Sequence, residues 1–554
     1  MHQTQKTMLF PSAKLLVKAL EDEKTDTLFG SVFQLPFLQP KQAKLIQLTH
    51  EQSIIHAADG YARATGKPGI AFITTEYGLT NAVTGIATAQ IDSIPLVIFI
   101  QKSRKYAAQM DIESITKPVS KYQYTINRPA DIPTIVARAV NTSLANRPGV
   151  VIVDFDESVL NCESELSEPF SILSATQNNV EKIPEKQILK IFHVMEKAER
   201  PVLIIGGGVI ASGASNELLD FIKKTKIPFT FTLMGLGAID SDHPSNLGML
   251  GMHGTFAANR AVHRADLLIC LGVRFSDRIT GRTNGFSPNL RKIQVEIDPA
   301  EVNKNISVDF PIICDIKEFL IHINPLLEDY KSLQWCEEVN NWRKNSPQFS
   351  NSASMLKPDH IIRQLHKHAP EDVIIATDVG QHQMWTALHY PFHLPRHFLT
   401  SGGFGTMGFG LPAAIGGAVS QPDQPVICVT GDGSIQMNIQ ELFHVAKYNL
   451  NIKIAILRNG YLGMVRQWQQ LFFKNKYSQV KITSPDFIRF AQSIGMSAYK
   501  ATTNKEAEYI IQKAFEIQGP VLLDFIIEEE VNVFPIVPPG GNNTDAIQHE
   551  KDDF

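Results

Sequence analysis

Ten short apolar runs constrain this chain more than any other feature: GIAFITT, PLVIFIQ, GVVIVDF, PVLIIGG, DLLICLG, KIQVEID, DVIIATD, PVICVTGDG, IKIAILRNG and PVLLDFII, separated by stretches of helical period. A strand with one wet face alternates apolar and polar residues, whereas these runs are continuous, so both faces of their sheets must be covered by helices. That pattern predicts an α/β fold with mainly parallel sheets. The chain has 554 residues, too many for one hydrophobic core, and ordinary domain sizes predict about three units. Polar stretches at 161–184 and 330–358 read as linkers, and no repeat period is visible. The expected organisation is three sequential domains, 1–165, 185–330 and 358–540, followed by a polar tail, 541–554.

Composition removes several function classes. A hydrophobic fraction of 44% with 19% charged residues is globular rather than disordered. A formal charge of −4 gives no electrostatic reason to expect nucleic acid. Cys162, Cys270, Cys314, Cys336 and Cys428 are scattered without a C-x-x-C pair, against a zinc site or a disulfide framework. With no signal-peptide core and no apolar run approaching the roughly 18 residues that span a bilayer, the expectation is a cytoplasmic protein without membrane contact.

The chemistry concentrates in the third unit. There PVICVT runs into Gly431-Asp432-Gly433-Ser434 and then an amphipathic stretch. Glycines let the backbone approach a phosphate, and the following helix N-terminus offers free N–H groups to an anion. Asp432 between them is placed to hold Mg²⁺, a hard cation that takes oxygen ligands. An acidic turn alone is common. The next strand, IKIAIL, ends near Asn459, however, and adjacent parallel strands would bring both residues to the crevice where open α/β sheets bind ligands.

GDGS followed by Asn459 resembles the diphosphate-binding motif of thiamine diphosphate enzymes. SGGFGTMGFGLPAAIGGA, TDVGQHQMW, GDGSIQMNIQEL, NGYLGMVRQWQ and VFPIVPPGGNN are similar to the catalytic subunits of acetolactate synthases, as are THEQSIIHAADGYARATGKPG, TLMGLGAI, LGMLGMHG, GVRFSDRITG and DPAEVNKN. These words lie in family order over nearly the whole chain. The resemblance implies a pyrimidine-binding domain, a central Rossmann-like domain associated with FAD, and a diphosphate-binding domain. It also implies an active site between two subunits of a homodimer or homotetramer, and a possible regulatory small subunit.

Residue roles follow from the resemblance. Glu51 matches the glutamate that hydrogen-bonds the aminopyrimidine ring and promotes its imino tautomer, the base in this chemistry. Met407 matches the residue that props the cofactor into its bent shape. Gln381, His382, Gly405, Gly433, Ser434, Gly463 and Met464 match further thiamine diphosphate contacts, and the carbonyl of Tyr461 joins Asp432 and Asn459 around Mg²⁺. Arg278 matches the arginine that receives an acceptor carboxylate, a planar fork suited to bidentate pairing, with Val465 and Trp468 beside it. Gly206-Gly207-Gly208 after PVLII is a weak signal by itself. The resemblance implies a non-redox FAD there, with Arg147, Gly207, Gly208, Thr232, Leu233, Met252, His253, Arg274, Glu296 and Asp315 at matching positions.

Some positions depart from the family. Arg458 stands where another Asn is usual. In the first domain, Ser31–Gln34 replaces a Pro-Gly-Gly turn, Thr75–Gly78 replaces a Ser-Gly-Pro-Gly loop, and Ala107-Ala108, next to Gln109, replaces a Phe-Gln pair. Lost glycines and added bulk reshape one side of a pocket. The leading expectation is a transferase that decarboxylates pyruvate and passes the two-carbon unit to a second 2-oxo acid, in branched-chain amino acid biosynthesis. Two alternatives are a related decarboxylase or carboligase acting on a different 2-oxo acid or aldehyde, and a feeble paralogue with a binding or structural role.

Overall fold

Every one of the ten apolar runs forms an interior strand. The computed structural model describes residues 8–31, 43–74, 76–102, 110–166, 183–286, 290–328, 334–344 and 356–548. Within these, three six-stranded parallel sheets follow one another along the chain. The first runs Lys44–Leu48, Thr27–Ser31, Gly69–Ile73, Leu96–Lys102, Val150–Asp156, Tyr122–Ile126. The second runs Asn246–Met249, Phe229–Phe231, Pro201–Ile205, Leu267–Leu271, Arg291–Glu296, Phe310–Ile313. The third runs Phe398–Leu399, Ile374–Thr377, Val426–Gly431, Ile452–Arg458, Val521–Ile526, Ser497–Ala501. The α/β expectation is met, and the continuous apolar strands are those with helices on both faces.

The six edge strands, Lys44–Leu48, Tyr122–Ile126, Asn246–Met249, Phe310–Ile313, Phe398–Leu399 and Ser497–Ala501, all lie outside the ten runs. An edge strand is paired on one side only and is often short or polar, which blunts it against further pairing. The stretch 330–358 is not all connector. Its helix Trp335–Lys344 packs on the central unit through buried Trp335, whose indole N–H donates to the carbonyl of Pro201 at 3.2 Å. The departures at Val32–Gln34, Thr75 and Ala107–Gln109 lie outside the described residues.

Helix α1 (Glu51–Thr65) sets the relation of the first unit to the third. His50 caps its start, the ring Nδ1 accepting from the Gln52 N–H at 3.2 Å, while Gly66 at φ 74° ends it in the left-handed conformation. Helix α2 (Glu76–Ile91) lies beside it in the first unit. Helix α3 (Gly410–Ser420) of the third unit crosses α1 at very short range. A Cβ on Gly60 would lie 2.3 Å from the Ala413 carbonyl oxygen, and one on Gly416 would lie 2.0 Å from that of Ala57. Only glycine permits this approach. Ile54, Ile55 and Ala58 of α1 thereby share a core with Leu411, Ala414 and Ile415 of α3. Among the described residues, no helix is long and apolar enough to cross a membrane.

Candidate active site

Strands Val426–Gly431 and Ile452–Arg458 are parallel neighbours, with Gly431 opposite Leu457. Their carboxyl ends therefore deliver Asp432 and Asn459 to one edge of the third sheet, as the spacing predicted. Asp432 is 1% exposed. Its Oδ2 accepts from the Gly460 N–H at 3.1 Å and the Ser484 hydroxyl at 2.8 Å, while burial raises its pKa. Asn459 Oδ1 accepts from the Tyr461 N–H at 3.1 Å, and its amide donates to Gln381 Oε1 at 3.3 Å. Arg458 takes no part. It pairs with buried Asp524 on the next strand at 3.1 Å, so the departure there answers a neighbouring carboxylate.

These ends open into a cavity of about 1150 Å³. Its walls include Gln381, His382, Gly405, Met407, Asp432, Gly433, Ser434, Asn459, Tyr461, Gly463 and Met464 on the third unit, with Arg278, Val465 and Trp468 at one side. The same cavity continues along Arg147, Gly207, Gly208, Thr232, Leu233, Met252, His253, Arg274, Glu296 and Asp315. Glu51 does not line it. Its carboxylate accepts from the Asn81 amide at 3.0 Å, and a Cβ on Gly78 would meet Glu51 Oε1 at 2.9 Å, so helix α2 fixes it on the first unit, away from the cavity of its own chain.

The wall is mostly apolar, with a few polar groups placed to fix a ligand. His382 is buried with no partner on Nε2, and burial depresses its pKa to about 3, so the ring is neutral. Burial likewise takes His253 to about 4, with Nδ1 against the Pro535 carbonyl at 3.0 Å. Gly405, at φ 72°, donates its N–H to the Ser401 hydroxyl at 3.2 Å, and a Cβ built on it would meet only Val379 within 4 Å, so open space lies beside its backbone at the cavity. A carboxylate, an amide oxygen and a backbone carbonyl at Asp432, Asn459 and Tyr461 form a hard oxygen set that fits Mg²⁺. On the central unit, Glu296 and Asp315 are both raised in pKa by burial, and each accepts from backbone N–H groups.

Several residues that frame the site escaped the sequence reading. Asp378, 1% exposed, ends the strand Ile374–Thr377 and has its pKa pushed up to about 6 by burial. Its Oδ1 accepts from the N–H groups of Val379 and Gly408 at 2.9 and 2.8 Å, which holds the Met407 loop. Its position at a strand end, on the same sheet edge as Asp432, was the available signal. Arg63 of α1 pairs with Asp59 and with Asp92 at 2.8 Å and donates to the Thr400 carbonyl at 2.9 Å. Asp92 in turn accepts from the Gly402 and Gly403 N–H groups at 3.2 and 2.7 Å.

A further brace on the walls comes from late in the chain, where Phe534, Ile536 and Ile547 pack against Met252 and Trp468. Helix α4 (Gly463–Phe472) holds the segment after the last sheet strand: Gln467 donates to the Val533 carbonyl and accepts its N–H, both at 2.8 Å. The segment then crosses to the central unit, where the Val537 N–H donates to the Met252 carbonyl and the Arg282 N–H to that of Gly541. Residues 541–548, read from sequence as the start of a tail, lie on that unit, with the Asn543 amide donating to the Ile279 carbonyl at 2.8 Å.

Comparison with known proteins agrees with this layout. Three family models match in order: the thiamine pyrophosphate enzyme N-terminal TPP binding domain over residues 12–124, the central domain over 188–323, and the C-terminal TPP binding domain over 378–525. The acetolactate synthase large subunit of Haemophilus influenzae is 37% identical over 97% of each chain. The isozyme 2 large subunit of Escherichia coli is 40% identical over 90% of this chain and 91% of its own. A probable acetolactate synthase large subunit of Methanococcus aeolicus is 39% identical over 97% of this chain and 95% of its own. With identity of this level along nearly its whole length, the chain belongs to the acetolactate synthase large-subunit family of thiamine pyrophosphate enzymes.

Proposed function

We propose that this chain is a catalytic subunit that decarboxylates pyruvate and joins the two-carbon fragment to a second 2-oxo acid, in branched-chain amino acid biosynthesis. The observation that carries the reading is the single cavity that joins the Asp432, Asn459 and Tyr461 oxygen set to Met407 and then to Arg278 and Trp468. In this reading that oxygen set would hold Mg²⁺, and Gly433 and Ser434 would hold the diphosphate. Thiamine diphosphate, when bound, supplies the electron sink for decarboxylation. Met407 would support it from the same cavity wall, and Gln381, His382, Gly405, Gly463 and Met464 would complete its surroundings. Neutral His382 offers a hydrogen bond without adding charge. Arg278 orients the acceptor carboxylate, while Val465 and Trp468 shape the space beside it. The central arm would hold FAD, without a redox role.

Because Glu51 does not line the cavity of its own chain, a second copy supplies it, which makes the working unit a homodimer or a larger even assembly. A regulatory small subunit is a fitting further partner, since the similar proteins are named large subunits. The test is to supply purified protein with thiamine diphosphate, Mg²⁺, FAD and pyruvate, and to follow CO₂ and acetolactate together. Formation of both, abolished in Glu51→Gln, is expected. CO₂ without acetolactate, or no reaction with cofactor bound, overturns the reading in favour of a different 2-oxo acid or aldehyde substrate.

A further inference from the structure

Glu51 and Met407 belong to different domains, yet a buried polar link ties their immediate neighbours together within one chain. Ser53, two residues after Glu51 on α1 and fully buried, donates its hydroxyl to Asn438 Oδ1 at 3.0 Å. The Asn438 amide, 2% exposed, donates to the carbonyl of Gly408, next to Met407, at 2.7 Å. Gly408 sits at φ 91°, and a Cβ there would meet Asn438 Nδ2 at 2.8 Å, so the loop is shaped around this amide. A second anchor lies one turn on. The carboxylate of Glu441, fully buried, receives the backbone N–H groups of Thr49 and His50 at 3.5 and 3.3 Å, where α1 begins.

A buried asparagine bonded on both sides holds its two partners to one separation, because pulling away leaves the buried Ser53 hydroxyl or the Asn438 amide unpaired, although Gln440 Nε2 also reaches Asn438 Oδ1 at 3.2 Å. We infer that Asn438 is a positioning residue that sets the register of the Glu51 helix against the Met407 loop. This rests on the proposed roles of Glu51 and Met407. On that reading the two ends of the link serve different cofactor sites of the assembly, since each chain sends Glu51 to its partner's cavity and keeps Met407 in its own. Loosening one link therefore disturbs both sites, without removing any group that touches cofactor or substrate.

The test compares wild type with Ser53→Ala, Asn438→Ala and Glu51→Gln, all as the full chain. Each protein is loaded with thiamine diphosphate, Mg²⁺ and FAD. The readouts are kcat and KM for pyruvate, the rate of hydrogen–deuterium exchange at the thiazolium C2 of bound cofactor after acid quench, cofactor affinity by calorimetry, and thermal unfolding without cofactor. Ser53→Ala and Asn438→Ala are expected to slow C2 exchange and kcat by about tenfold or more, with KM and cofactor affinity within about twofold, because a small misplacement penalises the reacting geometry more than binding. Should Asn438→Ala fail to fold, Ser53→Ala removes the same bond from the other side and decides the question. Wild-type exchange in Ser53→Ala beside slow exchange in Glu51→Gln overturns the inference and leaves the proposed function standing. A loss of cofactor affinity that accounts for the whole fall also overturns it. Wild-type exchange in Glu51→Gln instead sinks the reading beneath both.

Discussion

Replacing Gly416 by alanine tests how closely the first and third domains are registered. The added Cβ would lie 2.0 Å from the Ala57 carbonyl oxygen and 2.6 Å from the Tyr61 nitrogen. Both obstacles are backbone, so no rotamer change relieves the clash, and α1 must retreat from α3 by about 1 Å to restore ordinary contact. Gly60, 2.3 Å by the same measure from the Ala413 carbonyl oxygen, closes the other side of the crossing and leaves no slack. Overpacking of this kind costs about 1–3 kcal/mol. The retreat also carries Glu51 with it, and a misplacement of about 1 Å lowers turnover by up to about 100-fold. Gly417→Ala is the matched control. Its Cβ meets only the side-chain ends of Leu399 and Ile374 at 3.1 and 3.4 Å, and alanine gains up to about 1 kcal/mol of helix propensity there. Thermal unfolding and pyruvate turnover, measured for both variants, should separate them clearly. Wild-type values for Gly416→Ala, or an equal loss in Gly417→Ala, would refute the reasoning.

Three other outcomes are expected. His56 is buried, with its pKa depressed to about 3 by burial, then by Arg63 and His50. The unfolded chain therefore takes up a proton that the folded chain refuses, and this contribution to stability is full above about pH 6.5 and lost as pH falls toward 3. In urea titrations the stability difference between wild type and His56→Gln should shift by about 2 kcal/mol between pH 7 and pH 5, against wild type at the lower pH; a constant difference contradicts the burial argument. Asp432→Ala should weaken Mg²⁺-dependent retention of thiamine diphosphate by about 100-fold or more, as chelator does to wild type, and calorimetry with and without the metal checks this. Arg278→Gln should retain CO₂ release while acetolactate formation falls by about tenfold or more, since the lost fork serves the acceptor carboxylate; an equal fall in both products speaks against that role.

What could be read in advance follows from where each signal resides. Interior strands are buried on both faces and announce themselves as unbroken apolar runs, whereas an edge strand such as Tyr122–Ile126 or Ser497–Ala501 is half open to solvent and has no such mark. Two interior strands escape this rule: Phe229–Phe231 is only three residues long, and Thr27–Ser31 ends its apolar stretch in Gly30 and Ser31. Asp432 and Asn459 were legible together because strand order alone sends both to one edge. Asn438 was not, since its partners Ser53 and Gly408 are 385 and 30 residues away, and nothing local distinguishes a tertiary link from an ordinary loop asparagine. That Glu51 would fall outside its own chain's cavity could not be read from periodicity either. It depends on which faces the crossing of α1 and α3 leaves free.

The strap that runs from Val531 to Gln548 has a consequence for how the protein is made. It joins α4 of the third unit to Met252 and Arg282 of the central unit, yet it follows all three sheets in chain order. Domains fold as they leave the ribosome, the earliest first. The central unit is therefore made, and the whole third unit after it, before the segment that bonds the two together through Met252 and Gln467 exists. A nascent chain halted before Val531 would hold three folded sheets without this tie between the second and the third.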